Sequence, residues 1–370
     1  MTLPSEVPGF GPLGLRVGEE VEVRSAAEIL STLDDKGEFE NLPFMPEMLQ
    51  FCGRRLRVHK VANKLCDTIG ASGNRRMNNA VHLAGARCNG EAHGGCQTAC
   101  SLYWKEAWLR RPASGTETTH QGKAQRHDEV DPSLFERWTR KTSEPGGEVR
   151  YRCQATELLR AAPSRIGLLD PRQYVSDVRT GNVRPGAAVR SFFFGAFNAL
   201  QARSRRYLPG WLRVRQGLPW GFVSGRAVGR TPTGRLDLQP GELVRIKSKQ
   251  EIMRTIDRDR LNRGLGFEEE MARSCGRTAR VLRRVERCID EKTGKMLSMK
   301  NPCIVLEGVV CEGVYHANCP REFLPFWREI WLERVEGGEV RSAADNGACS
   351  LRGASNRSEC EPPRVAVGSR

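Results

Sequence analysis

Cysteine and histidine recur at one spacing in two places. Cys88-x4-His93-x2-Cys96 reappears as Cys311-x4-His316-x2-Cys319, and each loop carries a glycine two residues after its first cysteine, Gly90 and Gly313. Thiolate and imidazole are donors that zinc prefers, and four of them around one ion make a closed structural site. Glycine allows the tight turn that lets neighbouring donors converge. Upstream, Cys66 and Cys288 occupy nearly matching places, offset by one residue. A one-residue deletion within 282–287, balanced by an insertion in the next loop, aligns them. Each set is then three thiols and one imidazole: Cys66, Cys88, His93 and Cys96 in the first, Cys288, Cys311, His316 and Cys319 in the second. The expectation is one Zn2+ per set, tying its module together and contributing to folding directly.

An iron–sulfur cluster on the same ligands is the alternative. Cys88-Asn89-Gly90-Glu91-Ala92-His93 resembles, over six residues, the CDGSH iron–sulfur family, whose cluster takes three cysteines and one histidine. One extra residue separates Cys from His here, that family's Cys-x-Cys pair is absent, and Cys96 and Cys319 have no counterpart, so its function is not carried over. Two further readings stand beside metal binding. Buried cysteines also serve as small apolar side chains, and a Cys–His pair could act as a nucleophile. The second needs a third, orienting residue, and the sequence offers none. Cys52 and Cys275 match across the copies in apolar settings that suit core packing. Cys100, Cys303 and His82 are not duplicated, although Cys100 could serve the first module as a spare thiol.

The elements that must position these loops are themselves repeated. A shift of 223 residues aligns 18–111 with 241–334 at about thirty identical positions, far above chance for one ungapped shift. Gly18–Arg24 and Gly241–Lys247 alternate apolar and polar residues, as half-buried strands do. Ser25 with Glu28, and Ser248 with Glu251, form capping boxes that predict helices over 26–33 and 249–256. Strands are expected over 54–61, 80–86, 277–285 and 303–309. Trp104–Leu109 and Trp327–Leu332 are read as strands. The fold class expected is mainly β with α: tandem SH3/KOW-like small β-barrels joined by an Arg-rich helical segment.

The organisation expected is a disordered start (1–17), module one (18–111), a linker (112–150), a basic helical middle (151–240), module two (241–336) and a disordered tail (337–370). The middle holds fifteen arginines, no lysine and four acidic residues, a net +11 of the chain's +15. Charge that concentrated implies an anionic contact. A buried helix between the modules, an anionic membrane surface met through 185–220, and nucleic acid all suit it, the last without any standard motif. Thirteen cysteines without a secretory leader point to a reducing, cytoplasmic setting, with the membrane periphery as a variant. No nucleotide loop, paired carboxylates or triad order stands out, so a non-catalytic binding or scaffold protein is expected. Its partner is an unknown protein or polyanion.

Overall fold

The computed structural model describes residues 10–70, 73–112, 132–141 and 147–335. The first alternating stretch is strand β1 (Glu20–Val23), whose inward Val21 and Val23 are fully buried. Ser25 ends it and caps α1 (Ala26–Leu30): its hydroxyl accepts the Glu28 N–H, and the Glu28 carboxylate accepts the Ser25 N–H. A tight hairpin, β2 (Glu38–Phe39) and β3 (Leu42–Pro43), leads to β4 (Arg55–Val61). A second hairpin follows, β5 (Lys64–Cys66) and β6 (Asn74–Arg76), then β7 (Ala80–Arg87), β8 (Ser101–Lys105) and β9 (Leu109–Arg110). These form an antiparallel sheet in the order β8-β7-β4-β1-β9. Because β9 follows β8 in sequence yet lies at the opposite edge, the sheet curls into a half barrel.

The crossing from β8 to β9 corrects the expectation of one strand over Trp104–Leu109. Glu106–Trp108 is a single tight turn of 3-10 helix. Trp104 and Trp108 are both fully buried, and a turn between them lets each face the same core. Phe44 meets Trp108 edge-on at 5.4 Å, and the Trp108 indole N–H donates to Thr32 Oγ1 at 3.2 Å. The Glu106 carboxylate accepts the backbone N–H groups of Leu13, Gly14 and Leu15 at 2.5, 2.9 and 3.2 Å. Residues 10–17, expected to be disordered, are therefore held, and Leu15 is buried in the core.

Part of the expected linker is structured too. α2 (Pro132–Thr139) lays Trp138 against Gly37 and is followed by β10 (Arg140–Lys141) and β11 (Arg150–Tyr151). Residues 113–131 and 142–146 of that linker, residue 336 and the tail 337–370 lie outside the described residues. The basic middle carries α3 (Gln154–Ala161), a short strand β12 (Arg165–Ile166), α4 (Pro171–Thr180) and the long α5 (Pro185–Tyr207), and runs on from there without a further α-helix to residue 240. It is no free connector. α3 gives Leu158 and Ala161 to the N-terminal core, and β12 pairs with β6. The Asn182 amide exchanges two hydrogen bonds with the backbone of Val61, and Lys64 Nζ meets Asp177 at 2.5 Å with both groups buried.

The C-terminal sheet is built from β13 (Leu243–Ile246), β16 (Thr278–Ile289), β17 (Met296–Leu306) and β18 (Leu332–Arg334), in the order β17-β16-β13-β18 and again antiparallel. Between β13 and β16 lie α6 (Lys249–Met253), the hairpin β14 (Leu261–Asn262) and β15 (Leu265–Gly266), and α7 (Glu269–Ala272). Contacts of the first half recur 223 residues on. Ser248 and Glu251 repeat the reciprocal cap. Trp331 donates to Thr255, and the Glu329 carboxylate accepts the N–H groups of Leu236, Asp237 and Leu238. β16 and β17 are longer than expected because they run on into the hairpin that β5 and β6 form separately in the first half. All described residues to Arg334 belong to one compact unit. No helix among them is long and apolar enough to cross a membrane.

Candidate metal centres between the two halves

The loop leaving β7 turns back on itself at Gly90, whose N–H-accepting carbonyl is met by His93 N at 3.2 Å and Gly95 N at 2.9 Å. Gly90 has φ +79°, and a Cβ there would lie 1.9 Å from the Cys96 carbonyl oxygen, so no other residue fits. This turn brings Cys88 and His93 together with Glu47 from the segment after β3. Cys88 Sγ is 3.4 Å from His93 Nε2 and 3.0 Å from Glu47 Oε1, and His93 Nδ1 is 3.8 Å from the same carboxylate oxygen. One ligand atom from each of Glu47, Cys88 and His93 lies within 4.8 Å of the other two. Glu47 Oε2 and His93 Nδ1 are buried without a hydrogen-bond partner. Buried polar atoms left unpaired are rare in folded proteins and mark a place where something else belongs.

Cys96 also lies near His93. Its burial would raise the thiol, but hydrogen bonds from His93, Thr98 and the Ile289 N–H outweigh that and bring it down to about 7. A thiol so disposed is ready to ligate as thiolate. Burial and the Glu47 charge push Cys88 the other way, far above the ordinary range. A cation among them would reverse that sense by stabilising both thiolate and carboxylate. A cavity of about 40 Å3 adjoins the group, lined also by Cys100 and Cys153. It has room for an ion or a water but not for an organic substrate. Glu47 does supply the third residue that a Cys–His nucleophile needs. Yet it touches the sulfur directly, which opposes thiolate formation, so the geometry suits shared ligation better than nucleophilic attack.

The second loop repeats the turn: His316 N and Asn318 N donate to the Gly313 carbonyl, and a Cβ at Gly313 would lie 2.6 Å from Cys319 N. Its fourth member comes from the other half of the chain. Cys66 N donates to Cys319 Sγ at 3.1 Å, and the Cys66 thiol hydrogen-bonds the same sulfur. That bond draws Cys319 down and holds Cys66 well above its ordinary value. Cys311 is raised by burial and by the charges of Glu270 and Cys66. Glu270, 223 residues after Glu47, is raised by burial, accepts the Tyr315 N–H at 2.7 Å, and has Oε2 buried without a hydrogen bond, 3.8 Å from Arg273 Nε. His316 is exposed, unlike His93, so this set is less drawn together than the first.

The expected grouping of Cys66 with Cys88, His93 and Cys96 is therefore corrected: Cys66 stands with Cys319. The reverse exchange is present as well. Ile289 N donates to Cys96 Sγ at 3.4 Å, and residue 289 is 223 positions after Cys66. Cys288, next to it, clusters with Cys96 and Ile289 rather than with Cys311. No deletion before Cys288 is needed. β5 and β6 pair Cys66 with Asn74, whereas β16 and β17 pair Ile289 with Met296, so the one-residue difference lies in the hairpin turn. Each hairpin thus reaches across to the other half's cysteine loop. Arg321 reinforces the join: it pairs with Glu291 and donates to Thr68 Oγ1 at 2.8 Å.

Three residues of these centres were invisible as ligands in the sequence. Glu47 and Glu270 are identical across the repeat, which was the available signal, but they sit in stretches that read as helical turns. Cys153 precedes α3 in the unrepeated middle, where the comparison of copies has nothing to say. Comparison with family models, curated proteins and solved structures finds no match for the chain.

Proposed function

We propose that the chain is a non-catalytic, zinc-stabilised binding or scaffold protein, built from two copies of one SH3/KOW-like half-barrel that metal ions clamp together. The observation that carries this reading is the convergence of Glu47, Cys88 and His93, with Cys96 beside them. Cys288 borders that set. Cys66, Cys311, His316 and Cys319, with Glu270, form the second. Curled antiparallel sheets in both halves and the 223-residue recurrence support the duplicated barrel. The second set draws Cys66 from the first half, so its ion would hold the two halves together and binding there would add to the stability of the whole fold. The arginine-rich middle supplies the contact with a polyanion.

Elemental analysis of protein purified without added metal tests the reading. About two zinc ions per chain are expected, one per donor set. Chelation should lower the thermal midpoint, and zinc should restore it. Visible absorbance with iron and sulfide would instead assign an iron–sulfur cluster, a reading that the four thiols around the first cavity make specific. Protein that is metal-free and indifferent to chelation would overturn both.

A further inference from the structure

From Pro185 to Trp220 the chain has six arginines and no acidic residue. α5 accounts for most of it. One face of this helix packs inward through Ala188, Ser191 and Gly195, with Ser191 Oγ donating to the Val314 carbonyl. The opposite face carries Val189, Phe193, Leu200 and Tyr207, at spacings of four, seven and seven, which bring all four onto one stripe. All are exposed, Phe193 to 64% and Leu200 to 63%. The stripe is about 27 Å long at the helical rise per residue. Beyond the helix the chain folds back, with Gln201 Nε2 donating to the Val214 carbonyl, and presents Trp211 at 83% exposure beside Leu212 and Val214. Arg203 and Arg206 lie over the Tyr207 ring at 5.4 and 5.6 Å, and Arg215 lies over Trp220 at 5.3 Å.

We infer that this surface docks the protein on an anionic lipid bilayer, with α5 lying in the plane of the interface. A continuous exposed apolar stripe of this kind marks an interaction site. Its composition selects the partner. Phenylalanine, leucine and tryptophan enter the headgroup boundary while arginines at their sides meet lipid phosphate. A second copy of the chain would bring six like charges against six. A polynucleotide would satisfy the arginines and leave Val189, Phe193 and Leu200 in water. The helix lies on the bilayer and does not cross it.

The test is co-sedimentation of the full chain with phosphatidylcholine vesicles, with and without phosphatidylglycerol. Binding is expected only to the anionic vesicles, and to weaken with salt. The variant Phe193→Asp/Leu200→Asp should lower the partition coefficient by at least tenfold, roughly the effect of losing two inserted side chains. Trp211→Ser should lower it less. All three positions are exposed, so the thermal midpoint should not move, which separates lost docking from lost folding. No binding to anionic vesicles would overturn the inference, as would equal binding by the variants. Self-association of the parent that Phe193→Asp/Leu200→Asp abolishes would assign the stripe to a second copy instead.

Discussion

The hairpin that carries Cys66 is anchored by a buried ion pair, and removing one partner gives a prediction with a defined size. Lys64 on β5 is 1% exposed and Asp177 on α4 is 0% exposed. Lys64 also lies over the Tyr174 ring at 5.4 Å, and the neighbouring Asn63 and Asn182 amides favour the charged form of Asp177. Burial pushes Lys64 down and Asp177 up, each opposed by the other's charge. In Asp177→Asn the lysine keeps its burial and loses that compensation, which costs about 3–5 kcal/mol in comparable pairs. A ceiling follows from chemistry: Lys64 can give up its proton, which from a reference value of about 10.4 costs about 4.6 kcal/mol at pH 7 and about 1.9 at pH 9. Folded Asp177→Asn then binds fewer protons than its unfolded chain, so its stability should rise with pH toward 9 and its deficit against the parent shrink. Urea denaturation at the two pH values measures this. Lys64→Met/Asp177→Leu, which removes both charges, should recover most of the loss. A deficit below about 1 kcal/mol, a deficit independent of pH, or a double variant no better than the single would refute the reasoning.

Four further outcomes follow from the same contacts. Gly90→Ala should destabilise the first centre by more than the roughly 1–2 kcal/mol of a left-handed backbone, because its Cβ meets the Cys96 carbonyl. Gly53→Ala, at φ +72° in open space, should show the backbone cost alone when both are compared by thermal melting. Burial holds His82 down to about 4, with the Leu102 carbonyl and Glu322 opposing. The folded state resists protonation there, so about 3 kcal/mol of stability should be lost as pH falls from 6.5 to 4. His82→Val, with the residue found at 305, should lack that component in acid titrations of the denaturation midpoint. Glu106→Gln should free one or more of the N–H groups of Leu13, Gly14 and Leu15, at about 1–3 kcal/mol, and speed hydrogen exchange at those amides. Glu47→Gln should weaken metal binding at the first centre and leave the second unchanged, read by metal content after mild chelation.

Local chemistry was legible in the sequence. The serine–glutamate caps at Ser25 and Ser248, the alternation along β1 and β13, and the glycine turns that fold the cysteine loops all depend on residues within a few positions of one another. What could not be read was which distant segment completes each site. Cys66 lies in the same repeat as Cys88, which favours its own loop, and only the reach of the β5–β6 hairpin decides for Cys319. Trp104–Leu109 fitted both a strand and a helix face, because tryptophans four apart satisfy either period. The chain's answer, strand and turn and strand, depends on Glu106 being claimed by residues 13–15. The middle was legible as helices but not as part of the N-terminal core, since β12 pairing with β6 and Asp177 meeting Lys64 are long-range events.

The exchange of hairpins between the halves is tested most directly by mapping cysteine reactivity in Cys66→Ser. With zinc bound and one alkylating reagent applied to the native protein, Cys311 and Cys319 should become reactive while Cys88 and Cys96 stay protected, and zinc content should fall by about one ion. Exposure of Cys88 and Cys96 with Cys311 and Cys319 still protected would place Cys66 with its own half and contradict the account.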